Sequence, residues 1–229
     1  MNRIYYFSGS GKTRRLAQYF YNKLGFELCD IAKNESKFCT DANTAVVLFP
    51  VYCQNIADPM KDFLPKLNAK KVAFVATYGR KSFGNVIEDA AKLTSAEFIG
   101  GACVPCGHSF LDEEDGFDFE SLFPIIDRIN DPKPAKVEHG EKDFYADLIP
   151  AQRTRIGVKI SRTDSCTHCG KCITDCPMGA MEENRINGKC IRCLKCVKEC
   201  TENALDFRTL WFLKLYLENG KKNETKLYL

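Results

Sequence analysis

The first 130 residues of the chain alternate between short apolar runs and amphipathic segments. The apolar runs are continuous, a pattern typical of strands that are buried on both faces of a parallel sheet. They predict five strands, at Asn2–Phe7, Phe26–Ile31, Thr44–Phe49, Lys71–Thr77 and Glu97–Val104. The amphipathic segments carry apolar residues at helical spacing and predict helices at Thr13–Leu24, Pro59–Leu67, Asn85–Leu93 and Phe119–Ile129. Together they predict an α/β fold with a doubly wound five-stranded parallel sheet, which binds ligands beyond the carboxyl ends of its strands.

This pattern breaks at Asp131–Pro134, where two prolines and flanking charges mark a domain boundary. We therefore predict a first domain over residues 1–130, a linker or packing segment over 131–160, a small α+β domain over 161–208 and a C-terminal tail over 209–229. Apolar residues such as Phe144 and Leu148 indicate that the linker segment packs on one domain or between the two. The apolar start of the tail, Thr209–Leu217, predicts a docking helix, with a partner-binding helix as the alternative.

Eight of the thirteen cysteines fall in the small domain, in two runs with the same spacing. The runs are Cys166-x2-Cys169-x2-Cys172-x3-Cys176 and Cys190-x2-Cys193-x2-Cys196-x3-Cys200. This spacing matches the ligand pattern of two-cluster bacterial ferredoxins, in which the fourth cysteine of each run ligates the other [4Fe–4S] cluster. We therefore expect one cluster on Cys166, Cys169, Cys172 and Cys200, and the other on Cys190, Cys193, Cys196 and Cys176.

Other uses of these cysteines fit the sequence less well. A disulfide framework requires an oxidising compartment, and the sequence starts MNRIYYFSGS, without a secretion signal, which predicts a cytoplasmic protein. Zinc sites use two Cys-x2-Cys pairs and have no third cysteine at the same step. The runs also repeat beyond their cysteines at an offset of 24 residues, as in Lys171 and Lys195 or Ala180 and Ala204. A segment of this size needs such metal groups to be stable, so we expect it not to fold without them.

Composition limits the partners of the chain. The 229 residues are 45% hydrophobic, and no apolar run approaches the roughly 18 residues of a membrane span, so no membrane partner is expected. The net charge of +3 is too small to indicate nucleic-acid binding. We expect a protein that contacts neither a membrane nor nucleic acid.

The loop after the first predicted strand has the features of a phosphate-binding loop. Its glycines allow backbone N–H groups to point inward, its hydroxyls add donors, and the following helix N-terminus adds positive potential. The residues of this loop are Ser8, Gly9, Ser10, Gly11, Lys12 and Thr13. A Walker A motif is excluded because Tyr6 occupies the position of its first glycine. A plain glycine–serine turn is the alternative.

Two cysteines and a histidine near the end of the fifth predicted strand could contribute to a site. Cys103-x2-Cys106 has the spacing of a redox pair, but no helix N-terminus is predicted after it, so buried free thiols are favoured. His108 follows at a position where it could touch a ligand, although a surface histidine is the favoured interpretation.

The loop sequence S-x-S-G-x-T is similar to the flavodoxin phosphate loop [ST]-x-[ST]-G-x-T. With the two cysteine runs, the chain resembles the EFR1-type flavodoxin–ferredoxin fusion proteins of anaerobic microbes. The resemblance implies a flavodoxin-like fold and bound FMN, with the phosphate on residues 8–13. It also implies that the loops after the third and fourth strands hold the isoalloxazine ring, through Pro50, Tyr52, Cys53, Gln54, Asn55, Thr77, Tyr78 and Gly79. Tyr52 or Tyr78 would stack on the ring or lie at the rim of the site.

These parts predict an electron-transfer protein that passes single electrons between a redox partner protein, two [4Fe–4S] clusters and FMN. Two alternatives remain open at this stage. The chain could be a flavin-dependent reductase of quinones or nitro compounds that is supplied by the clusters, although no catalytic acid–base residues are evident. It could also be a flavin-free docking module attached to a ferredoxin.

Overall fold

A computed structural model describes residues 1–32, 40–144, 146–148 and 150–229 of the chain. The strands are β1 (Arg3–Tyr6), β2 (Glu27–Asp30), β3 (Asp41–Tyr52), β4 (Asn55–Ile56), β5 (Asn68–Tyr78), β6 (Glu97–Pro105), β7 (Val158–Arg162), β8 (Leu205–Thr209) and β9 (Lys226–Tyr228). The α-helices are α1 (Lys12–Leu24), α2 (Asp58–Phe63), α3 (Val86–Ala91), α4 (Phe123–Asn130), α5 (Pro150–Gly157), α6 (Lys171–Thr174), α7 (Lys195–Lys198) and α8 (Trp211–Glu218). None of the helices in these ranges has the length and apolar character needed to cross a membrane.

The main sheet has the strand order β2-β1-β3-β5-β6-β9, with the short β4 paired to the end of β3. The first five strands in this order are parallel to one another, whereas β9 pairs antiparallel to β6. Counting only the parallel strands along the chain gives the order 2-1-3-4-5, which is that of the flavodoxin-like doubly wound fold. The predicted fold class is therefore confirmed, and the sheet gains an antiparallel edge strand from the C-terminal tail.

Both faces of this sheet are covered by helices. Because successive side chains of a strand point to opposite faces, Tyr5 and Val47 join one apolar cluster while Ile4 and Val46 join the other. Helices α2 and α3 cover the first face, and α1 and α4 cover the second. The continuous apolar runs in the sequence follow from this two-sided burial.

The helix predicted over Pro59–Leu67 is shorter than expected. In the structure α2 ends at Phe63, and residues Leu64–Lys66 form a 3-10 turn. Pro65 lacks the backbone N–H for an α-helical bond, and its ring clashes with the carbonyl four residues earlier, so the helix cannot continue through it. Two further 3-10 turns lie at Ser109–Leu111 and Glu120–Leu122.

The small cysteine-rich module is closed by the antiparallel pair β7 and β8, in which Val158 lies opposite Thr209 and Arg162 opposite Leu205. Its helices α6 and α7 occupy equivalent places, 24 residues apart, as the sequence repeat predicts. The module is attached to the sheet by Ile191, which is buried in the cluster on the face covered by α2 and α3. The two parts therefore share one continuous packed region.

The segment between the two parts packs on the sheet domain mainly through polar contacts. The Asn55 amide donates to the Ala146 carbonyl at 2.9 Å, and the Asp143 backbone N–H donates to the Gln54 side chain at 2.9 Å. The apolar side chains of Phe144 and Leu148, which suggested packing, are instead 89% and 59% exposed. The described contacts of this segment with the sheet domain are therefore made by Asp143 and Ala146 and not by these two exposed side chains.

Candidate functional site

A large cavity lies at the carboxyl ends of the parallel strands, and we call it the sheet-edge cavity. Its volume is about 490 Å³, within the range of about 300–1,000 Å³ that is usual for small-molecule sites. Its wall includes the phosphate-loop residues Gly9, Ser10, Lys12 and Thr13. The cysteine-rich module and α8 close the opposite side, so elements from three parts of the chain surround one space.

The backbone of the first loop turns sharply before α1. Gly11 precedes the helix with a φ of 93°, in the left-handed region that favours glycine, and no side chain caps the helix N-terminus. The Ser8 hydroxyl is buried and has no hydrogen-bond partner in the described part of the chain. A buried polar group without a partner is costly, but Ser8 and Gly11 are not part of the wall of the sheet-edge cavity.

The remaining polar side chains of the loop bind neighbouring loops. The Ser10 and Ser109 hydroxyls are 2.7 Å apart, and the Thr13 and Thr77 hydroxyls are 2.8 Å apart. The Lys12 ammonium donates to the carbonyl of Glu113. The loop is thus tied to the ends of β5 and β6, which fixes its position at the sheet edge.

Most of the residues expected to hold a flavin ring line the sheet-edge cavity, namely Pro50, Tyr52, Cys53, Gln54, Thr77 and Gly79. Two of the expected residues do not. The Asn55 side chain is buried and donates to the carbonyls of Cys53 and Ala146. The Tyr78 hydroxyl donates to the carbonyl of Glu224 at 2.8 Å. These side chains support the loops around the cavity and are not part of its wall, so Tyr78 does not lie where a stacking role would need it.

Tyr52 lies at the junction between the sheet and the cysteine-rich module. It packs against the same apolar cluster as Cys193. Burial holds the pKa of its hydroxyl well above the usual value, and the nearby thiols of Cys193 and Cys190 add to this effect. The phenol is therefore neutral, and Tyr52 and Cys193 both line the sheet-edge cavity.

The phosphate loop and the cysteine loop touch through their backbones. A Cβ placed on Gly9 would lie 2.3 Å from the carbonyl oxygen of Cys193 and 2.7 Å from its Cβ. Such distances are far below van der Waals contact, so this approach requires glycine at position 9. One of the expected cluster ligands thus lies directly against the expected phosphate site.

Ion pairs surround this contact. Lys195 is only 3% exposed and pairs with Glu199 at 2.9 Å, and Glu199 also binds Arg14 on α1. Lys198 pairs with Asp112 at 2.6 Å on the surface. The pairs Glu199–Arg14 and Lys198–Asp112 therefore hold the module against the sheet domain.

His108 belongs to the wall of the sheet-edge cavity, whereas the sequence favoured a surface position. Its Nδ1 accepts from the Phe110 backbone N–H at 3.2 Å, which leaves the proton on Nε2. Burial lowers the pKa of His108 to about 4, so the ring is neutral at pH 7. The Gly107 N–H donates to the Asp115 carbonyl at 3.0 Å, and this closed loop brings the histidine inward.

Cys103 and Cys106 are buried, as the sequence favoured. Burial raises the pKa of the Cys106 thiol to about 12, and it raises that of Cys103 as well. Both are therefore protonated at neutral pH, although Cys106 contributes to the cavity wall. A thiol in this state is a weak nucleophile.

Helix α8 covers the cavity from the side of the tail. Phe212, Leu213, Tyr216 and Leu217 contribute to the wall, and Trp211 on the same helix is 77% exposed. The docking helix expected at Thr209–Leu217 begins at Trp211 in the structure, because Thr209 is the last residue of β8. Its role in closing the cavity has no signal in the sequence.

The eight clustered cysteines surround two further cavities. The outer cysteine cavity, of about 200 Å³, is lined by Cys166, Cys169, Cys172, Cys196 and Cys200. The inner cysteine cavity, of about 20 Å³, is lined by Cys176, Cys190, Cys193 and Cys196. The fourth cysteine of each run therefore lines the cavity of the other run. Within the described ranges, no three His, Cys, Asp or Glu side chains converge closely enough to hold a single metal ion.

The fourth cysteine of each run accepts an equivalent hydrogen bond from a backbone N–H. The Ala180 N–H donates to the Cys176 sulfur at 3.3 Å, and the Ala204 N–H donates to the Cys200 sulfur at the same distance. Such N–H donors stabilise a thiolate and tune the potential of a metal group bound to it. The twofold repeat of the sequence is thus present in the surroundings of both fourth cysteines.

Comparisons with known proteins agree with parts of this description. Residues 159–201 match the family model described as a 4Fe-4S dicluster domain. A protein described as a flavoprotein from Bacteroides eggerthii is 16% identical, covers 56% of this chain and 97% of its own, and has a TM-score of 0.40. Rubredoxin oxygen:oxidoreductase from the anaerobe Desulfovibrio gigas is 13% identical over 56% of this chain and 34% of its own, with a TM-score of 0.41.

A flavodoxin from the domain Archaea is 16% identical over 43% of this chain and 78% of its own, with a TM-score of 0.33. No curated protein matches the chain. These structural likenesses are weak, and the fold assignment rests on the strand order.

Proposed function

We propose that the chain is an electron-transfer protein that passes single electrons between a redox partner protein, two [4Fe–4S] clusters and FMN. Electron transfer is the general activity that a 4Fe-4S dicluster domain supports. The finer assignment rests on the residues around the three cavities. Membership in the flavodoxin–ferredoxin fusion family, a cytoplasmic location and the division at residues 131–160 are parts of the same proposal.

The cysteine cavities support crossed ligation of two clusters. We assign Cys166, Cys169, Cys172 and Cys200 to the outer cluster, since all four line the outer cysteine cavity. We assign Cys176, Cys190, Cys193 and Cys196 to the inner cluster, since all four line the inner cysteine cavity. Four thiols around each space are the donor set that a [4Fe–4S] group requires.

The sheet-edge cavity has the donors and the volume that FMN requires. Gly9, Ser10, Lys12 and Thr13 line the cavity and would receive the phosphate, and the unpartnered Ser8 hydroxyl belongs to the same loop. Tyr52 and the loop ending at Gly79 would border the ring. When bound there, FMN supplies the exchange between one-electron and two-electron chemistry. The residues themselves position the nucleotide and exclude water from one side.

The contact between Gly9 and Cys193 is the observation that carries this proposal. It brings an inner-cluster ligand against the expected flavin site, while Cys169 of the outer set is exposed at the surface. Electrons from a partner would therefore enter at the outer set and reach the flavin site through the inner set. Tyr52 and Ile191 hold the two parts together along this path.

Anaerobic purification followed by iron, sulfide and flavin analysis tests the proposal. We expect about eight irons per chain from two four-iron clusters, together with one FMN. Stopped-flow reduction should then bleach the cluster absorbance before the flavin absorbance. Colourless protein that contains zinc would contradict the clusters. Full iron content without flavin, and no uptake of added FMN, would favour a flavin-free docking module.

One observation favours a second candidate, a flavin-dependent reductase of a small molecule. The wall formed by α8 is apolar and lies across from the expected flavin site, at Phe212, Leu213 and Tyr216. Such a surface would accept a quinone or nitro compound. Steady-state turnover of menadione by the holoprotein, measured with a chemical reductant, would support this activity. Without such turnover, electron transfer would be the one remaining proposal.

A further inference from the structure

Arg192 is held rigidly between two residues that anchor the cysteine-rich module. Ile191 before it is buried against the sheet, and Cys193 after it touches the phosphate loop. The backbone of Arg192 has a φ of 56°, in the left-handed region. Its Nε donates to the Val158 carbonyl at 2.9 Å. The guanidinium is therefore fixed at one nitrogen, and its direction is set by the loop.

A second nitrogen of the same guanidinium has no partner. Nη1 of Arg192 is buried and makes no hydrogen bond to any residue that the structure describes. A buried donor on a charged group is strongly destabilising when it stays unpaired. Arg192 also lines the sheet-edge cavity, so an acceptor oxygen bound there that reached Nη1 would remove this cost.

The other cations in the wall of this cavity already have protein partners. Lys12 donates to the carbonyl of Glu113, and Lys81 donates to the carbonyl of Asn219. The Lys81 ammonium also lies 4.4 Å from the centre of the Tyr216 ring. Among the described residues of the wall, Arg192 is thus the cation with a buried donor left over.

We propose that Arg192 donates a hydrogen bond from Nη1 to an acceptor oxygen of the nucleotide in the sheet-edge cavity. This inference rests on the proposed binding of FMN. The acceptor is a phosphate oxygen or a carbonyl oxygen of the flavin ring, since a guanidinium pairs well with either. A residue of the cluster-bearing module then completes the flavin site, and flavin binding stabilises the docked position of that module.

The test compares FMN binding by Arg192→Gln and by the wild type. The full chain is reconstituted anaerobically with both clusters, freed of flavin and titrated with FMN by fluorescence quenching. The substitution should weaken FMN binding by about 10- to 100-fold, because a hydrogen bond from a charged group is lost. Arg155→Gln is the matched control, since Arg155 binds the Gly188 carbonyl and lies outside the cavity wall. The control should bind FMN like the wild type.

Riboflavin, which lacks the phosphate, separates the two acceptors. If Arg192 binds the phosphate, Arg192→Gln should leave riboflavin affinity unchanged. If it binds the ring, the affinities for FMN and riboflavin should fall together. Unchanged FMN affinity in Arg192→Gln would overturn the inference, whereas a wild type that binds no FMN would overturn the proposed function instead.

A second variant keeps the test decisive if Arg192→Gln loses its clusters. Arg192→Lys keeps the charge, but one ammonium cannot serve both the Val158 carbonyl and the nucleotide in the fixed geometry of the guanidinium. It should therefore bind FMN several-fold more weakly, with cluster absorbance unchanged. FMN affinity equal to that of the wild type would overturn the inference.

Discussion

The sheet domain and the cysteine-rich module are stabilised in different ways. The sheet domain buries large side chains on both faces, among them Tyr5, Phe20, Phe49 and Phe74. In the module, the buried apolar residues are few and include no aromatic side chain, namely Val158, Ala180, Met181, Ile191, Leu194, Ala204 and Leu205. Since apolar burial is the main favourable contribution to folding, the first part has its own core. We expect the second part to depend on its proposed metal groups and on its contact with the first.

Removal of iron should have the largest effect of the changes predicted here, because it should unfold one part of the chain and leave the other folded. We expect a chelator under anaerobic conditions to unfold residues 158–209 completely, because a segment of this size lacks a sufficient apolar core. The parallel sheet should persist, since most of its apolar core is formed by the strands and helices outside the module. Limited proteolysis with mass spectrometry would show new cleavage confined to the module. Resistance of the iron-free module to protease would contradict the difference between the two parts.

Paired substitutions of cysteines should show that each cluster draws on both runs. With crossed ligation, Cys176 and Cys193 hold the same cluster, so Cys176→Ala with Cys193→Ala should leave about four irons per chain. Cys169→Ala with Cys176→Ala should remove ligands from both clusters and leave almost none. Iron and sulfide analysis measures both values. The reverse result, with more iron in the second variant, would show that each run holds its own cluster.

The C-terminal strand extends the core of the sheet domain. Tyr228 on β9 is 5% exposed and packs in the cluster under α2 and α3. Replacing a buried aromatic residue with alanine costs roughly 3–5 kcal/mol, so Tyr228→Ala should lower the free energy of unfolding of the sheet domain by about 3 kcal/mol. Urea denaturation followed by circular dichroism measures this. The neighbouring Leu229→Ala serves as the control, because Leu229 is 47% exposed. Equal stability of the two variants would mean that β9 adds little to the core.

The main sheet and the cysteine pattern could be predicted because their signals are local. Strands buried on both faces require continuous apolar runs such as TAVVLF at Thr44–Phe49, and the cysteine spacing is set by the ligand pattern itself. Strand β9 was not predicted, because three residues carry no periodicity and their pairing with β6 is a long-range contact. The predicted helix extends beyond the end of α2 at Phe63 because apolar spacing continues to Leu67, although Pro65 cannot remain in an α-helix.

The candidate site was predicted only in part for a similar reason. Loop composition predicts a phosphate site at residues 8–13, because phosphate binding depends on small residues before a helix, and Gly9, Ser10, Lys12 and Thr13 line the cavity. The places of His108, Arg192 and α8 in the wall depend on how loops and module fold over the sheet edge. Tyr78 and Asn55 occupy the expected loops, but their side chains turn toward Glu224 and Ala146. A position in a loop does not determine the direction of a side chain.

The smallest expected effect concerns the contact that joins the two parts. A methyl group at position 9 would overlap the backbone of Cys193, and overpacking of this kind costs typically about 1–3 kcal/mol. Gly9→Ala should therefore move the module away from the sheet edge and slow flavin reduction by the clusters, measured by stopped-flow absorbance on samples of equal iron and FMN content. Gly25→Ala is the control, because Gly25 has a φ of 66° with nothing within 4 Å of the added Cβ, so it strains the sheet domain without touching the module. A rate in Gly9→Ala equal to that of the wild type would mean that electrons do not pass through the contact between Gly9 and Cys193, and the route through the inner cysteines would have to be abandoned.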